Sequence, residues 1–251
     1  MAGWAKDVYD MKTASKVSGD YLARIKEADM FTKDNIAFLD KFTSKSTDKG
    51  FAILLNNREK VNAVLGEGNV DTKIKNIVYS EEVIPTLRAA SKKDDIKPVD
   101  FVALSKKVAE KYPLYAEEVT ARGKMQYYQV IKNWSEYTSA VGSFMAKYGE
   151  KATPADLNAY AWTVFDNCKD MACVNLALGW SERSIKDDKT PGVYQYMDTY
   201  ANILHRLGRT KEAIEWQEKA LALAPDAAKK TYTATLEKMK KGEKTWAVSE
   251  E

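Results

Sequence analysis

The chain has 251 residues, 45% of them hydrophobic and 30% charged, and its 39 Lys and Arg against 36 Asp and Glu leave a net charge of +3. This is the composition of a folded globular protein, and Lys and Glu are too evenly interspersed to give the one-sided basic field that collects nucleic acid. No apolar run approaches the roughly 20 residues of a membrane span, and two cysteines are too few for a disulfide-built scaffold.

Leu, Ala, Lys and Glu are plentiful, while Gly and Pro number only 12 and 6, which favours helices. Thr32 is placed to cap a helix with Ile36, Leu39 and Phe42 on one face. A longer helix is expected to start at Thr47 or Asp48 and carry Phe51, Leu54, Leu55, Val61 and Leu65 up to Gly66. Beyond a Gly66–Asn69 connector, Val70 to about Ala90 reads as a helix with Ile74, Ile77, Val78 and Leu87. Pro85 should kink or interrupt it, since an interior proline costs ~3 kcal/mol. Residues 91–98, SKKDDIKP, read as a polar linker, with Pro98 in the first turn of the helix that carries Phe101, Leu104 and Val108.

Tyr115 to Ile131 follows as a helix with a looser apolar stripe. Asn133 is a candidate cap for a segment whose Trp134, Tyr137, Val141, Phe144 and Tyr148 make an aromatic face. The pattern leaves open whether Asn133 breaks the helix or lies inside it. Thr153 and Pro154 have the residue types of a cap and a first helical position. A last helix, Asp226 to about Lys240, aligns Ala228, Tyr232, Leu236 and Met239. No alternating strand pattern is evident, and the expected fold class is all-α.

Residues 198–225 place Ala201, Gly208, Ala213 and Ala220 where two helices must approach closely. Tyr200, Leu204, Leu207, Ile214, Trp216 and Leu221 fill the positions between them, and Pro225 stops the second helix. This succession resembles the tetratricopeptide repeat, a helix–turn–helix unit of ~34 residues. Asn158-Ala-Tyr-Ala161 echoes Asp198-Thr-Tyr-Ala201, and Leu176-Ala-Leu-Gly-Trp180 echoes Glu212-Ala-Ile-Glu-Trp216. The earlier copy is longer between its helices, where DNCKDMAC falls. The resemblance implies antiparallel hairpins stacked as a right-handed solenoid over residues 96–245, with residues 1–95 as a separate N-terminal helical region and the last helix covering the final repeat.

Catalysis needs a poised nucleophile, base or metal, and the chain is poor in all three. His205 is the single histidine and has no motif around it. GWSERS at 179–184 lacks the second glycine of a nucleophile elbow, and Gly66-Glu67-Gly68 lacks the lysine and flanking strand of a phosphate loop. No metal or cofactor is expected. Cys168 and Cys173 are too far apart in sequence for a C-x-x-C motif. In one continuous helix they would lie ~8 Å apart and could not be bridged, whereas a loop would let them meet. A structural disulfide, a redox-active pair and two free thiols therefore remain open. Stacked hairpins leave a concave surface lined by their first helices. Asn158, Tyr160, Trp162, Tyr200, Asn202 and His205 are the candidates there for holding a protein or peptide.

From about residue 30 onward the order of segments is similar to the helical C-terminal region of a group of bacterial thioredoxin-family proteins. The residues that carry it are Phe51 to Arg58, Gly66 to Ile74, Leu157 to Trp162, Leu176 to Trp180, Asp198 to Ala201, Leu207-Gly208 and Ala213-Ile214. In that family a thioredoxin domain with a C-x-x-C motif precedes this region, behind a signal peptide. This sequence has no position matching those cysteines and no apolar signal region in MAGWAKDVYD. The resemblance thus implies a non-catalytic accessory module whose partner is a protein, a peptide or an upstream thioredoxin domain. The periplasm or cell envelope is its expected place, and the cytoplasm if the resemblance fails. The alternatives are a stand-alone thiol-redox or stress protein using Cys168 and Cys173, and a helical spacer without a ligand.

Overall fold

The computed structural model describes residues 19–186 and 192–246; the MAGWAKDVYD segment lies outside them. Thirteen α-helices follow one another among the described residues, and consecutive helices pack as antiparallel pairs, so the protein is all-α. The chain forms two compact units that divide between Gly123 and Lys124. None of the described helices is long and apolar enough to cross a membrane.

The first unit contains α1 (Lys33–Phe42), α2 (Lys49–Asn56), α3 (Arg58–Leu65), α4 (Asn69–Val78), α5 (Ile84–Ala90), α6 (Phe101–Ala109) and the start of α7 (Ala116–Val130). Its core includes Ile36, Leu39, Phe51, Leu54, Val61, Val70, Ile74 and Val78; of the positions the helical spacing selects, Phe42, Leu55 and Leu65 are only half-buried. The single helix expected over 47–65 is two helices. Asn57 leaves helical geometry at φ −128° and ψ 37°, and its side-chain amide donates to the Ile53 carbonyl at 3.0 Å. A short amide side chain competing for a helix carbonyl is a local alternative to continuing the helix.

The interruption expected at Pro85 takes the form of one π-helical turn, Tyr79–Val83, between α4 and α5. Proline lacks an N–H and clashes with the carbonyl four residues back, here Glu81, which lies inside that wider turn. The linker at 91–98 carries a two-stranded ribbon that the sequence pattern does not reveal. β1 (Ser91–Lys92) pairs antiparallel with β2 (Asp95–Ile96), and the Lys97 N–H donates to the Ala90 carbonyl at 2.8 Å. Pro98 lies ahead of α6 and not in its first turn, because Asp100 is the cap. Its carboxylate accepts from the Val102 and Ala103 N–H groups at 3.0 and 2.9 Å.

The second unit holds the rest of α7, then α8 (Trp134–Tyr148), α9 (Pro154–Asn167), α10 (Met171–Ser184), α11 (Val193–Arg206), α12 (Thr210–Leu223) and α13 (Asp226–Lys240). Asn133 breaks the chain: Lys132 stands at φ 57°, and the Asn133 side chain accepts from the Glu136 N–H at 3.2 Å. Thr153 and Asp156 form a reciprocal capping box with Pro154 at the first helical position. The hairpins α9/α10 and α11/α12 cross on small residues, since Ala161, Ala177, Ala201, Ala213 and Ala220 are fully buried. Gly208, at φ 80°, ends α11 by a left-handed turn in which the Arg209 N–H donates to the Leu204 carbonyl at 2.9 Å. Helix α13 closes this end by burying Leu236 and Met239, while Ala228 and Tyr232 are half-buried.

Candidate functional site

Of the six candidate groove residues, only Trp162 is exposed, at 40%. Asn158 and Tyr160 beside it on α9 are half-buried, and Tyr160 meets the Phe144 ring edge-on at 6.4 Å. Tyr200, Asn202 and His205 are buried. They do not line an open groove, because α11 is packed by α9, α10 and α12 together. Tyr200 stands edge-on to Trp216 with ring centroids 5.3 Å apart, and the Asn202 amide donates to the Asp198 backbone carbonyl at 2.8 Å. The ring contact joins the two helices of the hairpin, while the Asn202 bond stays within α11.

His205 belongs to a cluster that links both hairpins to the segment after α13. Its Nε2 lies 2.8 Å from the Glu243 carbonyl and its Nδ1 lies 3.2 Å from the Thr210 hydroxyl. A carbonyl only accepts, so Nε2 carries the proton and, in the neutral ring, Nδ1 accepts from Thr210. Trp246 stands edge-on to His205 at 5.9 Å and to Phe165 at 6.4 Å. The Arg206 guanidinium lies 5.5 Å from the Trp246 ring centre and 5.7 Å from that of Phe165. It donates to the Phe165 and Cys168 carbonyls, so an arginine of the second hairpin caps the C-terminal end of α9. Burial lowers the Arg206 pKa, and its Nε has no hydrogen-bond partner. The rings run on to the surface, because Trp162 and Phe165 are 5.2 Å apart.

A carboxyl–amide pair, half-buried at Asp198 and fully buried at Gln217, lies between α11 and α12. Gln217, 0% exposed, donates through Nε2 to the Asp198 carboxylate at 2.7 Å, while its Oε1 has no partner. Burial pushes the Asp198 carboxyl up to about 6, against the opposing pull of the Gln217 hydrogen bond. Burial, and after it the charge of Asp198, pushes the nearby Tyr232 hydroxyl up to about 12.

Cys168 ends α9 and Cys173 lies in the first turn of α10; both are free thiols. Cys168 is buried in the core of this unit and Cys173 packs against the same core. Burial, and then a hydrogen bond with Cys168, pushes the Cys173 thiol up to about 11. A thiol raised this far is almost wholly protonated at neutral pH, the opposite of an activated nucleophile.

In the first unit, a cleft of about 710 Å³ runs between α1 and α4, lined by polar groups that include Ser44, Thr72, Asn76 and Ser80. Lys73 at its edge is held by Asp40, donating to its backbone carbonyl and standing 3.4 Å from its carboxylate. Nearby, Asp71 accepts from Arg58 at 2.6 Å and from the Tyr115 hydroxyl at 2.8 Å. Burial acts to raise the Asp71 carboxyl, but these hydrogen bonds together with the Arg58 charge hold the group below its ordinary value. The trio ties the start of α3 and the residue just ahead of α7 to α4 and is a structural clasp. Among the described residues, no group of three His, Cys, Asp or Glu side chains is arranged to hold a metal ion.

The sequence pattern does not mark Arg206, Trp246 or Gln217, and it marks Asp198 only as part of the repeat. A glutamine at a core-facing position of α12 is a legible signal for a buried polar contact. Nothing in the pattern links Trp246 to a histidine so far upstream. The chain matches no family model, no curated protein and no solved structure.

Proposed function

We propose that the second unit is a non-catalytic, tetratricopeptide-like interaction module. Its hairpins are read as stacked in a right-handed solenoid that holds a protein or peptide against the first helix of the α9/α10 pair. The observation that carries this reading is Trp162, an indole 40% exposed on α9 and backed by the buried Phe165 ring. A rigid aromatic side chain at a surface, supported from beneath, is the usual centre of a binding hot spot. The resemblance to the helical region of thioredoxin-family proteins supports a role as the partner-selecting arm of such a protein.

A thiol-redox role has the nearness of the two free cysteines at the end of α9 and the start of α10 in its favour, and the high thiol pKa of Cys173 against it. On the interaction reading, the chain reduces insulin disulfides no faster than buffer; turnover lost in Cys168→Ser or Cys173→Ser favours the redox reading. Selection from a displayed library of random peptides is expected to converge on one motif whose binding weakens at least tenfold in Trp162→Ala. A library that yields no common motif, or a motif indifferent to Trp162, leaves the spacer reading in place.

A further inference from the structure

Beyond Lys240 the chain turns back on the unit it has just completed. Gly242 stands at φ 69°, and the Gly242 and Glu243 N–H groups donate to the Met239 and Lys238 carbonyls at 3.0 and 2.8 Å. Residues 243–246 then form no helix or strand of their own. They are nevertheless held at both ends. The Glu243 carbonyl accepts from His205 Nε2 at 2.8 Å. Three residues on, the Trp246 indole meets Phe165, His205 and the Arg206 guanidinium. A backbone carbonyl that sets register and an aromatic ring in a fitted recess are the two devices by which short irregular peptides are recognised.

Each receiving group has a support other than the segment itself. Phe165 is buried in the core of α9, and Arg206 is pinned by the carbonyls it caps. Thr210 orients the imidazole from its far side. Such pre-organisation lowers the cost of binding. The receiving residues come from α9 and α11, whereas the segment that fills the recess belongs to neither hairpin.

We propose that this α9–α11 face is a receptor for an extended peptide bearing an accepting carbonyl followed, three residues on, by an indole or similar ring. Glu243–Trp246 is its resident occupant, held in cis and exchangeable for a partner segment of the same chemistry. The proposal rests on the interaction-module reading and extends it to the covered part of the same series of rings. A tethered segment acts at an effective concentration of roughly millimolar, so it masks the recess from weaker competitors. Releasing it should unmask binding in trans.

The test uses the full chain and a fluorescein-labelled, amidated peptide of residues 241–246, read by fluorescence anisotropy. Gly242→Val opens the turn without touching the recess. A Cβ there meets nothing within 4 Å, while a β-branched residue resists φ 69°. Trp246→Ala is the second variant, which empties the recess directly; circular dichroism establishes that each is folded. At least tenfold tighter binding than to the unsubstituted chain is expected for both variants. That gain should be lost when His205→Ala or Arg206→Ala is added, and when the probe carries alanine in place of its tryptophan. If neither folded variant binds the probe more than twofold tighter than the unsubstituted chain, the proposal is overturned. A Trp162-dependent library peptide that still binds would then leave the module reading standing, so the two failures are distinguishable.

Discussion

Replacing Asp198 by Asn is expected to make the protein more stable at neutral pH and to leave it nearly unchanged in acid. Asp198 is half-buried and faces Gln217, which is fully buried and keeps one oxygen without a partner. Burial raises the carboxyl from 3.8 to about 6, so the folded chain holds this proton more tightly than the unfolded chain. Stability from this group is therefore fully present below pH 3.8 and is lost as pH rises through about 6. At ~1.4 kcal/mol per pKa unit the full loss is about 3 kcal/mol, and solvent at a half-buried group reduces it to about 1–2 kcal/mol. Asparagine keeps the shape and removes the charge. Its own oxygen still accepts from Gln217, and its amide adds a donor on the side chain facing Gln217. Urea denaturation at about pH 4 and about pH 7.5 measures the difference between variant and parent, expected near zero in acid and about 1–2 kcal/mol in favour of the variant above the transition. Equal effects at both pH values, or a less stable variant at pH 7.5, would refute the reasoning.

Three further outcomes follow from the same structure. Thr153→Ala removes the capping box of α9 and should cost about 1 kcal/mol in denaturant unfolding, with the gap closing if Ser is used instead. Gly208→Ala places a side chain at φ 80° and should cost about 1 kcal/mol or more. The native protein should react with a thiol reagent at neutral pH far more slowly than the urea-unfolded chain, which releases two thiols. Fast reaction of Cys173 in the folded state would contradict its raised thiol pKa.

Much of the helical framework is legible in the residue pattern because the signals are local. Thr153-Pro154-Ala-Asp156 spells out a cap, and Gly208 is glycine where the chain takes a left-handed turn. Ala201, Ala213 and Ala220 mark where helices touch. The break at Asn57 is missed because the apolar spacing continues across it, and only a side-chain hydrogen bond ends the helix. The candidate site is legible in part. Trp162 lies on the surface of α9, but Tyr200, Asn202 and His205 are buried by packing that one helix's periodicity does not show. His205 is covered by Glu243 and Trp246, residues that follow it by some forty positions, and such a long-range closure leaves no spacing to read.

Amide hydrogen exchange of the full chain, with and without a library-selected peptide, tests the central claim most directly. Binding by the second unit predicts slowed exchange along α9 around Trp162, extending to α11 near His205 when the C-terminal segment is displaced. Protection confined to the cleft between α1 and α4, with α9 unaffected, would contradict the account.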